Sequence, residues 1–194
     1  MPDQLSTKRA LRKHFRQVRS DVSRAQRQIW APRLNRHVLA ADQVQKARTV
    51  AAYLAFDSEP DLRFSMTQLH RRGVTVALPV VPAQDEQVLS FRQWSPATPL
   101  QPNQLGISEP TQSAPVPVET IDVMLLPLVA YDTAGSRLGM GAGWYDRTLG
   151  ANDHRPWLAG VAWSIQAAPS VPIDPWDVPL DAVVTEAGWF TCPG

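Results

Sequence analysis

Three short apolar runs restrict what this chain can become. They are "RTVAAYLAF" (48–56), "VTVALPVV" (74–81) and "IDVMLLPLVAYD" (121–132), the last ending in Asp132. Each is short, apolar and partly β-branched, and so reads as a buried strand. Between the first two lies "DLRFSMTQLHRRG", a helical pattern with Gly73 as its stop. Strand, helix and strand at such close intervals indicate a parallel sheet. "WLAGVAW" (157–163) and "DAVVTEAGWF" (181–190) read as two last strands. The expected fold is α/β, a three-layer sandwich with a mostly parallel sheet. Fifteen of the eighteen prolines fall from Pro79 onward, and the proline-rich, polar residues 95–118 read as a long surface loop.

A basic helical arm precedes the sheet. Leu11, Phe15, Val18 and Val22 recur at helical spacing. Lys8, Arg12, Arg16 and Arg19 form a parallel basic stripe about 100° round the same helix. A second helix runs through Trp30, Leu34, Val38 and Ala41, with Ser23 as N-cap and Pro32 placed to kink or divide it. The net charge of +1 therefore hides an asymmetry. Residues 1–50 hold twelve Lys and Arg against three Asp and Glu, a net of +9, and the remainder holds seven against fifteen, a net of −8. Such an arm can hold nucleic acid, a phosphorylated ligand, or the acidic body itself.

At 194 residues, with 44% hydrophobic and 19% charged content, the chain suits one domain over 1–194, its arm being 1–46. The single cysteine, Cys192, excludes an internal disulfide framework and a cysteine-based zinc site. A reducing compartment, the cytoplasm, is expected. No apolar run suits a signal peptide or reaches the roughly 18 residues a membrane span needs. His14, His37, His70 and His154 show no metal or triad spacing and read as surface or helix residues.

The densest chemistry lies in "RLGMGAGWYDRTL" (137–149), beyond the end of a strand, where ligands of α/β sheets collect. Gly139, Gly141 and Gly143 let backbone N–H groups approach and point together at an anion, phosphate above all. No Gly-Lys-Ser/Thr follows, so this is not a Walker loop. The third glycine comes one position early for the dinucleotide fingerprint. A tight strand-to-helix turn is the other reading of the glycines alone. Arg137 offers a fork of donors for phosphate oxygens. Asp146 suits magnesium with nucleotide phosphates, or a surface pair with Arg147. Trp144 and Tyr145 suit a stacked heterocycle or the core. Lys8 and Arg12, one helical turn apart, suit a triphosphate clamp or a solvated face. Asp132 suits the site or the turn beside it.

"RLGMGAGWYD", preceded by "LPLVAYDTAGS", resembles the signature of the 5-formyltetrahydrofolate cyclo-ligase family. That signature is a Pro-Gly-x-Ala-Phe-Asp strand end, a short turn and Arg-Leu-Gly-x-Gly-x-Gly-Tyr-Tyr-Asp. "KRALR" (8–12) resembles the family's basic ATP-contacting motif. "YLAFDSE" (53–59) falls where the family places a substrate-contacting leucine and glutamate, here Leu54 and Glu59. "DVPLDAVVTE" (177–186) resembles its closing segment, whose first aspartate, here Asp177, is a magnesium contact. The four segments keep the family's order over almost the whole chain. Trp144 stands where tyrosine is usual, Tyr131 where phenylalanine is, and Leu128 where glycine is common. Ala142 stands where many members have lysine or glycine, so cationic help must come from Arg137, Lys8 or Arg12.

The resemblance implies a Rossmann-like, cyclo-ligase-type fold and ATP-dependent conversion of 5-formyltetrahydrofolate to 5,10-methenyltetrahydrofolate. It implies ATP contacts from Lys8, Arg12, Arg137, Leu138, Gly139, Met140, Gly141, Ala142, Gly143, Trp144 and Tyr145, with Arg137 catalytic. It implies substrate contacts from Leu54, Glu59, Met140 and Trp144, and Mg2+ held by Asp146 and Asp177. The expected partners are those two small molecules, with no nucleic acid and no membrane, and the chain is expected to be a monomer. Two other classes fit the residues less fully: a phosphometabolite or nucleic-acid binding protein, and an isomerase or transferase on a similar fold.

Overall fold

The computed structural model describes residues 7–82 and 87–193. Helix α1 (Lys8–Ser20) begins where the Thr7 hydroxyl accepts the Ala10 N–H at 3.2 Å. Helix α2 (Arg24–Ala40) is capped by Ser23, which accepts the Gln26 N–H at 3.1 Å. Pro32 does not divide α2. Its ring removes one intrahelical bond, while Leu34 and Val38 are fully buried beneath the helix and hold it in place. A short α3 (Asp42–Lys46) leads into β1 (Thr49–Ala51). Helix α4 (Arg63–Arg71) ends as its glycine requires: Gly73 takes φ +82° and donates to His70 O, and Val74 donates to Leu69 O.

Strands β2 (Thr75–Val80), β3 (Ser90–Trp94), β4 (Leu100–Pro102), β5 (Ser108–Pro110), β6 (Val123–Pro127), β7 (Ala130–Tyr131) and β8 (Arg137–Leu138) follow. Then come α5 (Trp144–Gly150), β9 (Trp157–Val161), β10 (Ala182–Val184) and β11 (Trp189–Thr191). Seven of them form one sheet in the order β11-β10-β9-β6-β1-β2-β3. The five inner strands are parallel, with Val50 opposite both Val76 and Val123, and the edge strands β3 and β11 are antiparallel. One face, with Val50, Val76 and Leu125, packs on α2 and α4 through Leu34, Val38, Met66 and Leu69. The other, with Ala77, Met124, Leu126 and Leu158, packs on Leu149 of α5 and on Leu89, Ile121 and Leu128.

The strand order turns back between β1 and β6, the point where such sheets leave a crevice beyond their carboxyl ends. Helix α1 does not join either sheet face. Leu11 and Phe15 dock on Val129, Ala130 and Leu138, beside that crevice.

The structure corrects three expectations. The stretch 95–118 is not a plain loop: β4 and β5 form a hairpin, and Arg92 of the unforeseen β3 bridges to Pro115. "DAVVTEAGWF" is two strands, β10 and β11, joined by a turn in which Thr185 N–H meets Gly188 O. Arg19 is not part of an exposed stripe but wholly buried, while Val18 is only half-buried. Its spacing from Leu11 and Phe15 places it on the docked face.

The turn before the glycine block is fastened by Asp132. Its carboxylate accepts the N–H groups of Ala134, Ser136 and Val171 at 2.8–3.0 Å. Its three accepted bonds are all from backbone, which favours the turn-fixing reading. Gly135 in this turn has φ +87°, and a Cβ there would lie 2.8 Å from Leu180 O and 2.9 Å from Cys192 Cβ. Gly135→Ala is expected to destabilise the fold by on the order of 3 kcal/mol, a left-handed penalty plus overpacking, as read by urea denaturation. A change below about 0.5 kcal/mol, typical of a neutral surface site, would show that this turn tolerates a side chain.

Candidate active site

Two cavities meet at the glycine block. One, of about 440 Å3, is largely apolar: Leu54, Phe56, Leu78, Leu105, Met140 and Trp144 line it. The other, of about 800 Å3, is lined by Lys8, Arg12, Arg137 and Arg147 together with Asp146, Asp174 and Asp177. Gly139, Gly141 and Gly143, with Arg137 and Asp146, belong to both. Met140, Ala142, Trp144 and Tyr145 face only the apolar cavity, and Lys8, Arg12, Leu138 and Asp177 only the cationic one. The block is thus a shared wall. Its alternation keeps glycine backbone between the cavities and sends the intervening side chains one way.

Two of those glycines have conformational reasons to be glycine. Gly141 has φ +108° and lies under the Arg12 guanidinium, and Gly143 has φ +67° with Arg147 Nη1 where a Cβ would be. Arg12 Nε donates to Gly139 O at 2.9 Å, which fastens α1 to the block. Arg147 lies 4.7 Å over the Trp144 ring. The buried Trp144 Nε1 has no hydrogen-bond partner, an indole donor left over beside the apolar cavity.

On the cationic side the charges are paired. Lys8 Nζ reaches Asp174 Oδ2 at 2.7 Å and Asp177 Oδ2 at 2.5 Å. Burial pushes the Lys8 ammonium down, but hydrogen bonds to and charge from both carboxylates more than offset it, so it rises above its ordinary value. Burial likewise pushes Asp177 up, and Lys8 and the Asp174 N–H reverse that, leaving its carboxyl lowered. Arg137 donates from Nη2 to Asp146 Oδ1 at 2.6 Å and from Nη1 to Val178 O. Its burial lowers its pKa against the raising charges of Asp146 and Asp177. The same Asp146 oxygen accepts the Val178 N–H at 3.1 Å, so both predicted metal carboxylates meet near 177–178. Among the described residues no three His, Cys, Asp or Glu side chains form a ready cage for an ion. One or two hard carboxylates beside a phosphate-sized cationic cavity still suit Mg2+, which takes much of its shell from water and phosphates.

The other end of the site rests on Arg19. Residues Phe56–Glu59 form a turn in which Asp57 and Ser58 both have positive φ, 47° and 68°. Glu59 N–H bonds Phe56 O at 3.1 Å, and Glu59 Oε2 accepts the Phe56 N–H at 3.0 Å. Arg19 supports this strained turn, reaching Asp57 Oδ2 at 3.3 Å, Glu59 Oε1 at 3.5 Å and Leu128 O at 3.3 Å. Trp163 Nε1 holds Ser58 O at 3.3 Å from the other side. Tyr145 lines the cavity between Glu59 and Arg137. Burial raises its pKa, the Glu59 charge adds to this, and Arg137 opposes it.

The family model for the 5-formyltetrahydrofolate cyclo-ligase family matches residues 4–186. The chain belongs to that family. It is 38% identical over 174 residues to the 5-formyltetrahydrofolate cyclo-ligase of Escherichia coli K12, covering 88% of this chain and 96% of that one. The cyclo-ligase of Haemophilus influenzae is 32% identical over 173 residues, covering 88% and 92%. The fold matches the Aquifex aeolicus 5,10-methenyltetrahydrofolate synthetase with TM-score 0.83 at 30% identity, over 96% of this chain and 93% of that one. It matches the Mycoplasma pneumoniae synthetase with TM-score 0.75 at 25% identity, over 92% and 98%.

All of the residues the family resemblance singled out line one cavity or the other. Sequence reasoning missed Arg19, Asp174 and the β4–β5 hairpin, which supplies Leu105, Ile107 and Glu109 to the apolar wall. A charged residue on the apolar seam of α1 was the available signal for Arg19. The hairpin had none, since its strands are three residues each and carry prolines.

Glu59 is mostly buried, and burial raises its carboxyl to about 6, with the Phe56 N–H and Arg19 pulling the other way and Asp57 adding to the rise. A folded value above the ordinary 4.5 has a definite sign: its stabilising contribution is complete below pH 4.5 and is lost as pH rises through about 6. A carbon-13 NMR titration of the native protein should place the Glu59 midpoint near pH 6. Arg19→Met should move it higher, and Arg19→Lys, which keeps the charge, should move it less. A midpoint indifferent to Arg19→Met would show that the guanidinium does not act on this carboxylate.

Proposed function

We propose that this chain converts 5-formyltetrahydrofolate to 5,10-methenyltetrahydrofolate, consuming ATP and releasing ADP and phosphate. The observation that carries the reading is the single glycine wall between an apolar cavity and a cationic one. A two-substrate phosphoryl transfer needs both ligands held against one boundary.

A formamide is a poor electrophile, and its oxygen leaves poorly. Transfer of the γ-phosphoryl group to the formyl oxygen forms an O–P bond, breaks the γ-phosphate's bond to ADP and gives an iminium phosphate. The neighbouring anilino nitrogen then attacks the formyl carbon and gives up its N–H proton to solvent. The C–O bond breaks, phosphate leaves, and the ring closes. The protein's task is alignment and charge neutralisation.

In this reading the folate occupies the apolar cavity against Leu54, Met140 and Trp144, and Glu59 accepts hydrogen bonds from it. ATP occupies the cationic cavity. The backbone of Gly139–Gly143 faces its phosphates, Lys8 and Arg12 reach them from α1, and Arg137, placed in both cavities, neutralises charge on the group in transit. Asp146 and Asp177 would hold Mg2+. That ion, when bound, supplies positive charge at phosphate oxygens. Arg137 keeps Asp146 oriented and Lys8 keeps Asp177 ionised. A cytoplasmic monomer with no nucleic-acid or membrane partner completes the reading, and the docking of α1 through Leu11 and Phe15 supports it against a nucleic-acid role. No described helix is long and apolar enough to cross a membrane.

The deciding experiment follows methenyl absorbance with purified protein, ATP, Mg2+ and 5-formyltetrahydrofolate. Product is expected only with all three present. Folate binding without product under any nucleotide condition would overturn the proposal, and ATP turnover without folate would favour another class.

The cationic cavity generates a sharper expectation. Asp146→Asn and Asp177→Asn should each raise the Mg2+ concentration for half-maximal rate, because an amide is a poorer ligand for a hard cation. Lys8→Ala should raise KM for ATP by on the order of 10- to 100-fold, the worth of one charge-assisted contact, with little effect on KM for folate. An unchanged Mg2+ titration in both aspartate variants would return those carboxylates to holding Arg137 and Lys8.

A further inference from the structure

The segment Asp174–Asp177 closes as a tight turn. Asp177 N–H donates to Asp174 O at 3.0 Å, and Asp174 N–H donates to Asp177 Oδ2 at 2.8 Å. Pro175 fixes φ at one of its two central residues. Lys8 ties both aspartates to α1. A turn fastened at each corner carries at its remaining position Trp176, a residue 68% exposed.

Exposure alone explains little, since Ile173 is 69% exposed three residues earlier. The two differ in place. Trp176 lines the cationic cavity, and Ile173 does not. Among the described residues lining that cavity, Trp176 is the only aromatic. The charged groups there account for the phosphates of a nucleotide and leave its base without a partner. A base needs a flat apolar face held still, and a rigid turn bearing an exposed indole at the same cavity meets that need.

We propose that Trp176 is the stacking platform for the base of the bound nucleotide, the contact that makes a phosphate cavity into a nucleotide site. The proposal rests on the reading of the cationic cavity as the ATP site. Lys8 then serves twice: its ammonium faces the phosphate region, and its two ion pairs hold the platform. The platform contributes affinity without reading base edges, because every base has a π-face.

The test is calorimetric titration of wild type, Trp176→Ala and Trp176→Phe, with Mg2+ present, using ATP and inorganic tripolyphosphate as paired probes. Tripolyphosphate has the phosphates and no base. Trp176→Ala should weaken ATP about 10-fold or more and leave tripolyphosphate unchanged, and Trp176→Phe should recover most of the loss. An ATP affinity indifferent to residue 176 overturns the platform, as does an equal loss for both probes, which would place the effect in the turn or its charges. The platform and the cyclo-ligase reading fail separately. Base-dependent loss with no methenyl product in wild type overturns the reading and keeps the platform. Normal turnover with an indifferent residue 176 does the reverse.

Discussion

A guanidinium without access to water holds the site together. Arg19 is wholly buried, and a buried charge is tolerated only where partners replace its solvent. Its partners come from two places: Asp57 and Glu59 after β1, and Leu128 O after β6, all reached through Nη1 and Nη2. Strands β1 and β6 are adjacent in the sheet, and their following segments part at the point where the strand order reverses. Arg19 fills that parting. Its nearby carboxylates also hold two non-glycine residues in left-handed conformation, a strain that persists only where surroundings over-determine it.

The glycine block depends on the same construction from the opposite side. Asp132 ends its strand and binds the backbone of the turn. Gly135 lets that turn pass against Leu180 and Cys192, and the block then emerges under Arg12. Leu128 has a local packing role. Its Cδ2 and the Leu180 Cδ1 each lie 2.6 Å from where a Cβ on Gly160 would stand. The bulk absent from β9 is supplied by these two leucines, so the parallel pair still packs.

The parallel core was legible because its strands are apolar runs with a capped helix between them, and local chemistry and tertiary packing agree at Ser23 and Gly73. The site was legible where function demands unusual local sequence: alternating glycines, an arginine before them, an aspartate after. What escaped was non-local. Strand β3 buries Phe91 and Trp94 only because of what lies beside it, and β4 and β5 are three residues each, the first exposed throughout, with prolines that argue for loop. Arg19 was misplaced because residues seven apart on a helix nearly coincide, so it continued the stripe of Arg12 and also the apolar seam of Leu11 and Phe15. Composition assigned it to the stripe, whereas the carboxylates that receive it lie some forty positions onward.

The charge asymmetry takes its meaning from that pairing. A net of +9 in the first fifty residues looks like a surface for a polyanion. In the fold, Arg16 and Arg19 are engaged by Asp57, Lys8 by Asp174 and Asp177, and Arg12 by the Gly139 carbonyl. Four cations of α1 are therefore engaged by the rest of the chain, at intervals of three or four residues along one helix. The two near its start face the cationic cavity, and the two near its end brace the wall of the apolar one. A helix of thirteen residues is short enough to be rigid and long enough to touch both cavities. Its rigidity fixes the spacing between the phosphate side and the folate side, which an in-line transfer between two bound ligands requires.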